Sequence, residues 1–296
     1  MEITYIDRKT GQTAIERVYG GPFLSLLYGD GFLRGVFALF LLPLIARVPF
    51  FSWAYGFLQK RKSSAKKIAP FIQAYGIDAS EFADSGFDSF NDFFIRKLKP
   101  ERRPIAQDPK IVVLPADGRY LVFNQFDRFF IKGQEFSLLE FLKDPPMARR
   151  FQEGSMAIAR LCPSDYHRFH FPCDGIPAKP RLINGLLYSV NPIALKKNVS
   201  ILSENKRMIT EIETDHFGTV LYIEIGATSV GSIRQTYTPD LKVKKGDEKG
   251  YFEFGGSCIA LLFEKGRVTF DADLTANTQK GIETKANFGE TLGTAQ

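Results

Sequence analysis

The chain has 296 residues, a formal net charge of +6 and an isoelectric point near 9.1. Its three cysteines are too few for a disulfide framework, and its 44% apolar residues suffice for a sizeable core. The mild basic excess lacks the dense tracts of nucleic-acid binders; it suits an anionic membrane surface or an acidic substrate without choosing between them.

In chain order, the opening Met-Glu-Ile-Thr-Tyr has no basic stretch feeding an apolar one, so no secretory signal is expected. Residues 1–19 read as a hairpin. Ile3 and Tyr5 alternate with polar residues, Asp7 to Gly11 is a turn, and Thr13 to Val18 returns. Residues 22–58 are the most apolar stretch, but the uncharged run Val36–Ala46 is broken by Pro43 and bounded by Arg34 and Arg47. A spanning helix needs about 20 apolar residues. The pattern instead favours helices lying in a membrane interface, with Trp53 and Tyr55 at headgroup depth and the basic Lys60-Arg61-Lys62 drawn to anionic lipid.

Residues 66–98 carry helical periodicity in two blocks separated by Gly76, Ile68 to Tyr75 and Phe90 to Leu98, with Ser89 as the cap of the second. Lys99 to Pro104 ends the helical region. This predicts an α+β protein: an N-terminal hairpin and helical membrane-associating region over 1–104, then a mainly antiparallel β domain over 105–296. Short β-like runs are expected at Ile111–Leu114, Tyr120–Phe123, Met156–Leu161, Gly185–Val190, Val220–Ile225 and Cys258–Phe263, with one short helix within 137–153 and a polar C-terminal tail.

Three stretches hold residues suited to chemistry. Asp117-Gly118 follows an apolar run, an ordinary turn pair when taken alone. Cys162, His167, His170 and Cys173 have C-x4-H-x2-H-x2-C spacing, which fits no common zinc pattern, so no metal is expected. The histidines read either as hydrogen-bonded structural groups or, for at least one of them, as a general acid or base. The third stretch, Gly250 to Phe263, reads as a strand, a sharp Gly255-Gly256 turn, Ser257 and a second buried strand. Asp, His and Ser thus occur in an order open to nucleophilic catalysis, but Ile259 stands where a G-x-S-x-G elbow needs glycine.

These stretches together resemble the bacterial phosphatidylserine decarboxylase proenzymes. The matching pieces are Phe90-Asn-Asp-Phe-Phe-Ile-Arg-Lys-Leu-Lys99 with Arg103-Pro-Ile105, Pro115-Ala-Asp-Gly118, Asp165-Tyr-His-Arg-Phe-His170 and Tyr188-Ser-Val-Asn-Pro-Ile-Ala-Leu195. They continue with Glu204-Asn-Lys-Arg207, Ile225-Gly-Ala-Thr-Ser-Val-Gly-Ser-Ile233 and Lys245 to Ser257. Cys258 departs from the Thr or Ser that commonly follows the reactive serine.

The resemblance implies that Ser257 attacks the carbonyl of Gly256, with Asp117 orienting His170 and His170 taking the serine proton. Cleavage would leave a β chain of residues 1–256 and an α chain of 257–296, with Ser257 converted to a covalent pyruvoyl group. That cofactor would form a Schiff base with the amine of phosphatidylserine and release CO2 to give phosphatidylethanolamine. The resemblance assigns His167 to protonation in the decarboxylation stage and leaves Arg168 between a lipid-holding and a structural role. It implies a peripheral enzyme on the cytoplasmic face of a bacterial membrane, with phosphatidylserine and the anionic surface as partners, no nucleic acid, and a homo-oligomer left open. Two other classes compete: a serine hydrolase with the same triad, and a carrier module, since Val243-Lys-Lys-Gly-Asp-Glu248 is similar to a lipoyl-type turn.

Overall fold

The computed structural model describes residues 3–17, 56–84, 86–125, 129–131, 134–190, 200–227, 233–255 and 257–296. The interfacial helices expected within 22–58 lie outside the described residues except for 56–58, and so does Gly256.

Strands β1 Thr4–Asp7 and β2 Thr13–Ile15 precede helices α1 Ile68–Tyr75 and α2 Phe90–Phe94. Next come β3 Ile111–Val113, β4 Gly118–Phe123, β5 Phe129–Ile131, β6 Gln134–Phe136, then α3 Leu138–Leu142 and α4 Pro145–Arg150. Strands β7 Ser155–Leu161, β8 Arg168–His170, β9 Ile176–Pro177 and β10 Arg181–Ile183 lead to α5 Ile201–Glu204. The chain continues through β11 Arg207–Thr214, β12 Gly218–Gly226, β13 Ile233–Gln235, β14 Glu248–Phe252, β15 Ser257–Phe263 and β16 Val268–Phe270. Helix α6 Ala272–Gln279 and strands β17 Glu283–Ala286 and β18 Thr291–Ala295 complete it.

The main sheet runs β10-β11-β12-β15-β7-β4-β17-β1-β2 in space, with β9 paired to β11. Smaller sheets β13-β14-β8 and β16-β18-β3 pack against it, and β5 pairs with β6. Pairing is antiparallel except for β1 on β17, so the class is α+β with mainly antiparallel sheets.

Strand β15 sits at the centre, paired along all of Ser257–Phe263 with β12 on one side and β7 on the other. Both of its faces are covered, which is why its sequence is an unbroken apolar run and not an alternation. Cys258, Ala260 and Leu262 join a core with Phe141, Leu142 and Phe151 from the α3–α4 side. Ile259, Leu261 and Phe263 join a second core with Phe169 and Phe252 of the β13-β14-β8 sheet. Strand alternation puts Ser257 on this second face.

The local stop signals work as the sequence predicts. Gly76 ends α1 at φ 61°, a left-handed conformation that suits glycine. The Ser89 hydroxyl accepts from the Asp92 N–H at 3.1 Å and caps α2. Helix α2 ends at Phe94 and not near Leu98, which bridges Phe82 instead. Its phenylalanines, with Phe71 and Phe82, form a cluster that closes on Phe254, next to Gly255.

Three sequence expectations differ from the structure. Gly185–Val190 is not a strand: Asn205 pins Tyr188 through both its N–H (3.0 Å) and its carbonyl (2.8 Å), and Gly185 packs on the Glu204 carbonyl where a Cβ would come within 2.2 Å. Residues 137–153 hold two helices, divided at Lys143 (φ 47°), where Pro145 and Pro146 start a new helix. The expected polar tail is ordered as α6, β17 and β18, because its polar residues find buried partners. Glu283, for example, accepts from Arg160 at 2.7 Å.

Candidate active site

The stretch from β14 to β15 does not form a hairpin. Strand β14 belongs to the small sheet and β15 to the main sheet, so residues 253–256 carry the chain from one sheet to the other. Gly255 has φ 144°, a backbone conformation that L side chains rarely adopt. Ser257 follows as the first residue of the central strand, opposite Gly226 and Leu161. It is fully buried, and among the described residues its Oγ has no hydrogen-bond partner. Buried hydroxyls are normally satisfied, so an orphan at this position calls for a reason.

Both histidines approach from the small sheet. Strand β8 pairs with β14, setting Phe169 opposite Gly250 and His170 opposite Glu248. Gly250 is required there, since a Cβ would lie 2.0 Å from the Arg234 carbonyl oxygen. The His170 Nδ1 lies 2.9 Å from the Gly246 carbonyl, in the Val243–Glu248 turn. A carbonyl only accepts, so Nδ1 carries the proton and Nε2 is the basic nitrogen. Nε2 faces the Tyr166 hydroxyl at 3.3 Å, and the ring stacks on Phe288 at 3.8 Å and 10°.

His167 is arranged the same way. Its Nδ1 donates to the Asp165 carbonyl at 3.0 Å, its ring lies 3.8 Å from that of Phe94, and its buried Nε2 has no partner among the described residues. Burial pushes the His167 pKa down to about 3 and that of His170 to about 4, so both rings are neutral near neutral pH. Each is a base in the correct state to accept a proton.

Asp117 is buried in the turn before β4. Its carboxylate accepts from Arg103 Nε at 3.0 Å and from the Phe288 N–H at 2.9 Å, with an ion pair to the Arg103 guanidinium at 2.6 Å. Arg103 also grips Glu81, at 3.2 and 3.1 Å. No hydrogen bond joins Asp117 to His170, or His170 to Ser257, among the described residues. The orienting of His170 by Asp117 that the resemblance implies is therefore not made by a direct hydrogen bond in this geometry. A charged fork holds a carboxylate more strongly than a neutral imidazole does, and Gly246 already takes Nδ1. Asp117 meets His170 through Phe288, whose N–H it holds and whose ring stacks on the imidazole.

Arg168 is committed to structure. It pairs with both Glu248 oxygens at 2.9 and 2.8 Å and donates to the Ile95 carbonyl at 2.8 Å. The cysteines are free and buried, and burial pushes the Cys162 and Cys173 thiols up to about 12. Among the described residues, no His, Cys, Asp and Glu side chains are grouped to hold a metal. A polar cleft of about 400 Å³ reaches Asp117, Arg103 and Tyr166 from the side of the N-terminal hairpin.

A model of the phosphatidylserine decarboxylase family matches residues 90–294, a span that includes Asp117, His167, His170 and Ser257. The chain belongs to that family. It is 46% identical to the phosphatidylserine decarboxylase proenzyme of Chlamydia caviae, over 99% of this chain and 98% of the relative. It is 45% identical to the proenzyme of Chlamydia pneumoniae and 47% identical to that of Chlamydia muridarum, each over 99% of this chain and 97% of the relative. The chain is accordingly an enzyme of the decarboxylase class.

Reading the sequence for chemistry missed four members of the site: Arg103, Tyr166, Gly246 and Phe288. Arg103, Tyr166 and Gly246 stand inside the stretches that carry the resemblance. Phe288 lies in the segment read as a polar tail, and nothing local marks it as the plate under a histidine.

Proposed function

We propose that the chain decarboxylates phosphatidylserine to phosphatidylethanolamine and CO2 after cutting its own Gly256–Ser257 bond. The observation that carries this is the fully buried Ser257 Oγ at the head of β15, directly after two glycines in sequence and without a hydrogen-bond partner among the described residues. The Ser257 hydroxyl attacks the Gly256 carbonyl and its proton passes to a neutral imidazole, turning the amide into an ester. Elimination releases the Gly256 carboxylate and leaves a dehydroalanine. Water hydrolyses this to the pyruvoyl group with loss of ammonia. A ketone at that position supplies the sink for the electron pair left when CO2 departs.

His170 is the base in this proposal, and Asp117 positions it through Phe288. His167 serves the decarboxylation stage. One observation favours a second assignment: among the described residues the His167 Nε2 is unpartnered, whereas the His170 Nε2 is occupied by Tyr166. In that variant His167 takes the serine proton.

The two products, residues 1–256 and 257–296, stay together because the smaller contributes β15 and β17, which pair with β12, β7, β4 and β1 of the larger. Among the described residues no helix is long and apolar enough to cross a membrane. Residues 22–58 and the basic run after them would dock the enzyme on anionic lipid.

Mass measurement under denaturing conditions tests the reading. Two chains are expected, the smaller beginning at position 257 and lighter by one ammonia than a serine-initiated chain. A single uncut chain that still releases CO2 from phosphatidylserine would refute the pyruvoyl mechanism.

A further inference from the structure

Phe254, two residues before the bond proposed to break, is held by a part of the chain far from it in sequence. Its N–H donates to the Asn91 Oδ1 at 3.0 Å. Its ring lies 5.2 Å from that of Phe90 and 4.9 Å from that of Phe94. All three contacts come from α2, and both Asn91 and Phe254 are buried. The helix is itself anchored: Ser89 caps it, and the Phe90 N–H donates to the Ser64 hydroxyl at 2.8 Å. Its Phe94 ring also lies against that of His167, 3.8 Å away and tilted by 34°.

The geometry around the bond makes this clamp consequential. Downstream, Ser257 is locked by the ladders of β15 with β12 and β7. Upstream, two glycines carry no side chain to pack, and glycine has the widest backbone freedom of any residue. Where the Gly256 carbonyl lies relative to the Ser257 Oγ therefore depends on where Phe254 is fixed.

We propose that Asn91 is a positioning residue for self-cleavage: its side-chain carbonyl clamps the Phe254 N–H and so sets the approach of the Gly256 carbonyl to the serine. This rests on the self-cleavage reading above. Asn91 touches no reacting atom in this proposal. It acts by holding the upstream end of the Gly-Gly dipeptide, and small misplacements at a reacting centre slow reactions by large factors.

The test follows conversion of full-length chain into its two fragments over time, normalised to folded chain by resistance to limited proteolysis. Asn91→Ala removes the acceptor, Asn91→Ser is a milder version of the same lesion, and Asn91→Asp keeps an oxygen at the same reach. Conversion is expected to slow about tenfold or more in Asn91→Ala and Asn91→Ser, and to stay close to the wild-type rate in Asn91→Asp. Wild-type conversion in Asn91→Ala, or an Asn91→Asp as slow as Asn91→Ala, overturns the proposal. A wild-type chain that never converts overturns the self-cleavage reading, and the clamp with it.

Discussion

Replacing Lys249 by Met tests the tie between the sheet that carries the histidines and the sheet that carries the serine. Lys249 lies on β14, next to Glu248, which faces His170 in the ladder. Glu224 lies on β12, two residues before Gly226, the ladder partner of Ser257. The Lys249 ammonium is fully buried and donates to Glu224, to the Thr210 hydroxyl at 3.0 Å and to Gln235 at 2.8 Å. It also sits 4.7 Å from the centre of the Tyr222 ring. Burial lowers the lysine pKa and raises that of Glu224, each against the pull of the partner.

Methionine fills the stem of the lysine but leaves a buried carboxylate uncompensated, a loss of about 3–5 kcal/mol. An unfolding entropy of about 2.1 cal/mol/K per residue over 296 residues is about 0.6 kcal/mol/K, so Tm should fall by about 5–8 °C. Without the ammonium, the folded pKa of Glu224 rises further above the 4.5 of the free side chain. Between those two values the folded state binds more protons than the unfolded one, so stability falls as pH rises through that window. The deficit should be larger at about pH 8 than at about pH 5. Thermal melts followed by near-ultraviolet circular dichroism, in a Ser257→Ala background that keeps one covalent form, measure both effects. The double variant Glu224→Met/Lys249→Met should recover most of the loss, because removing both charges removes the desolvation penalty. A single-variant drop below about 2 °C, or a double variant as unstable as the single one, would refute the reasoning.

Three further predictions concern the site and its surroundings. His170→Ala should remain one chain on a denaturing gel, whereas His167→Ala should cleave and then turn over poorly; the reverse pattern supports the second assignment. Self-cleavage requires a neutral imidazole, so with His170 depressed to about 4 the rate should hold from about pH 8 to about pH 5 and fail only below. An acid limb near 6.5, the value of an unperturbed histidine, would show that the base is not buried. Deleting residues 22–58 should weaken sedimentation with anionic liposomes while the β core still folds. Unchanged binding by a folded truncation would remove the docking role.

Local features of the fold were legible in the chain. The turn from Asp7 to Gly11, the stop at Gly76, the cap at Ser89 and the buried run after Ser257 each depend on a few neighbouring residues. Their backbone demands show directly as residue types. Gly185–Val190 misled for the complementary reason: its short apolar run looks like a strand, but Asn205 supplies the partner that a neighbouring strand would. The helical pattern after Ser89 overran for a similar reason, since Leu98 is taken by Phe82.

The residue types of the site were legible as well. Asp117, His167, His170 and Ser257 stand in stretches whose order marks the family. Their partners were not. Asp117 meets Phe288 across 171 positions and Asn91 meets Phe254 across 163. Sheet order creates those contacts, with β17 set beside β4 and the small sheet laid over the main one. Gly255, Gly256 and Ser257 by themselves announce a flexible turn and a hydroxyl. Tertiary packing decides that the hydroxyl is buried and unpartnered among the described residues, that the two imidazoles are neutral, and that Asp117 is claimed by Arg103. Burial and hydrogen-bond commitments depend on every surrounding element at once, and no local window of sequence contains them.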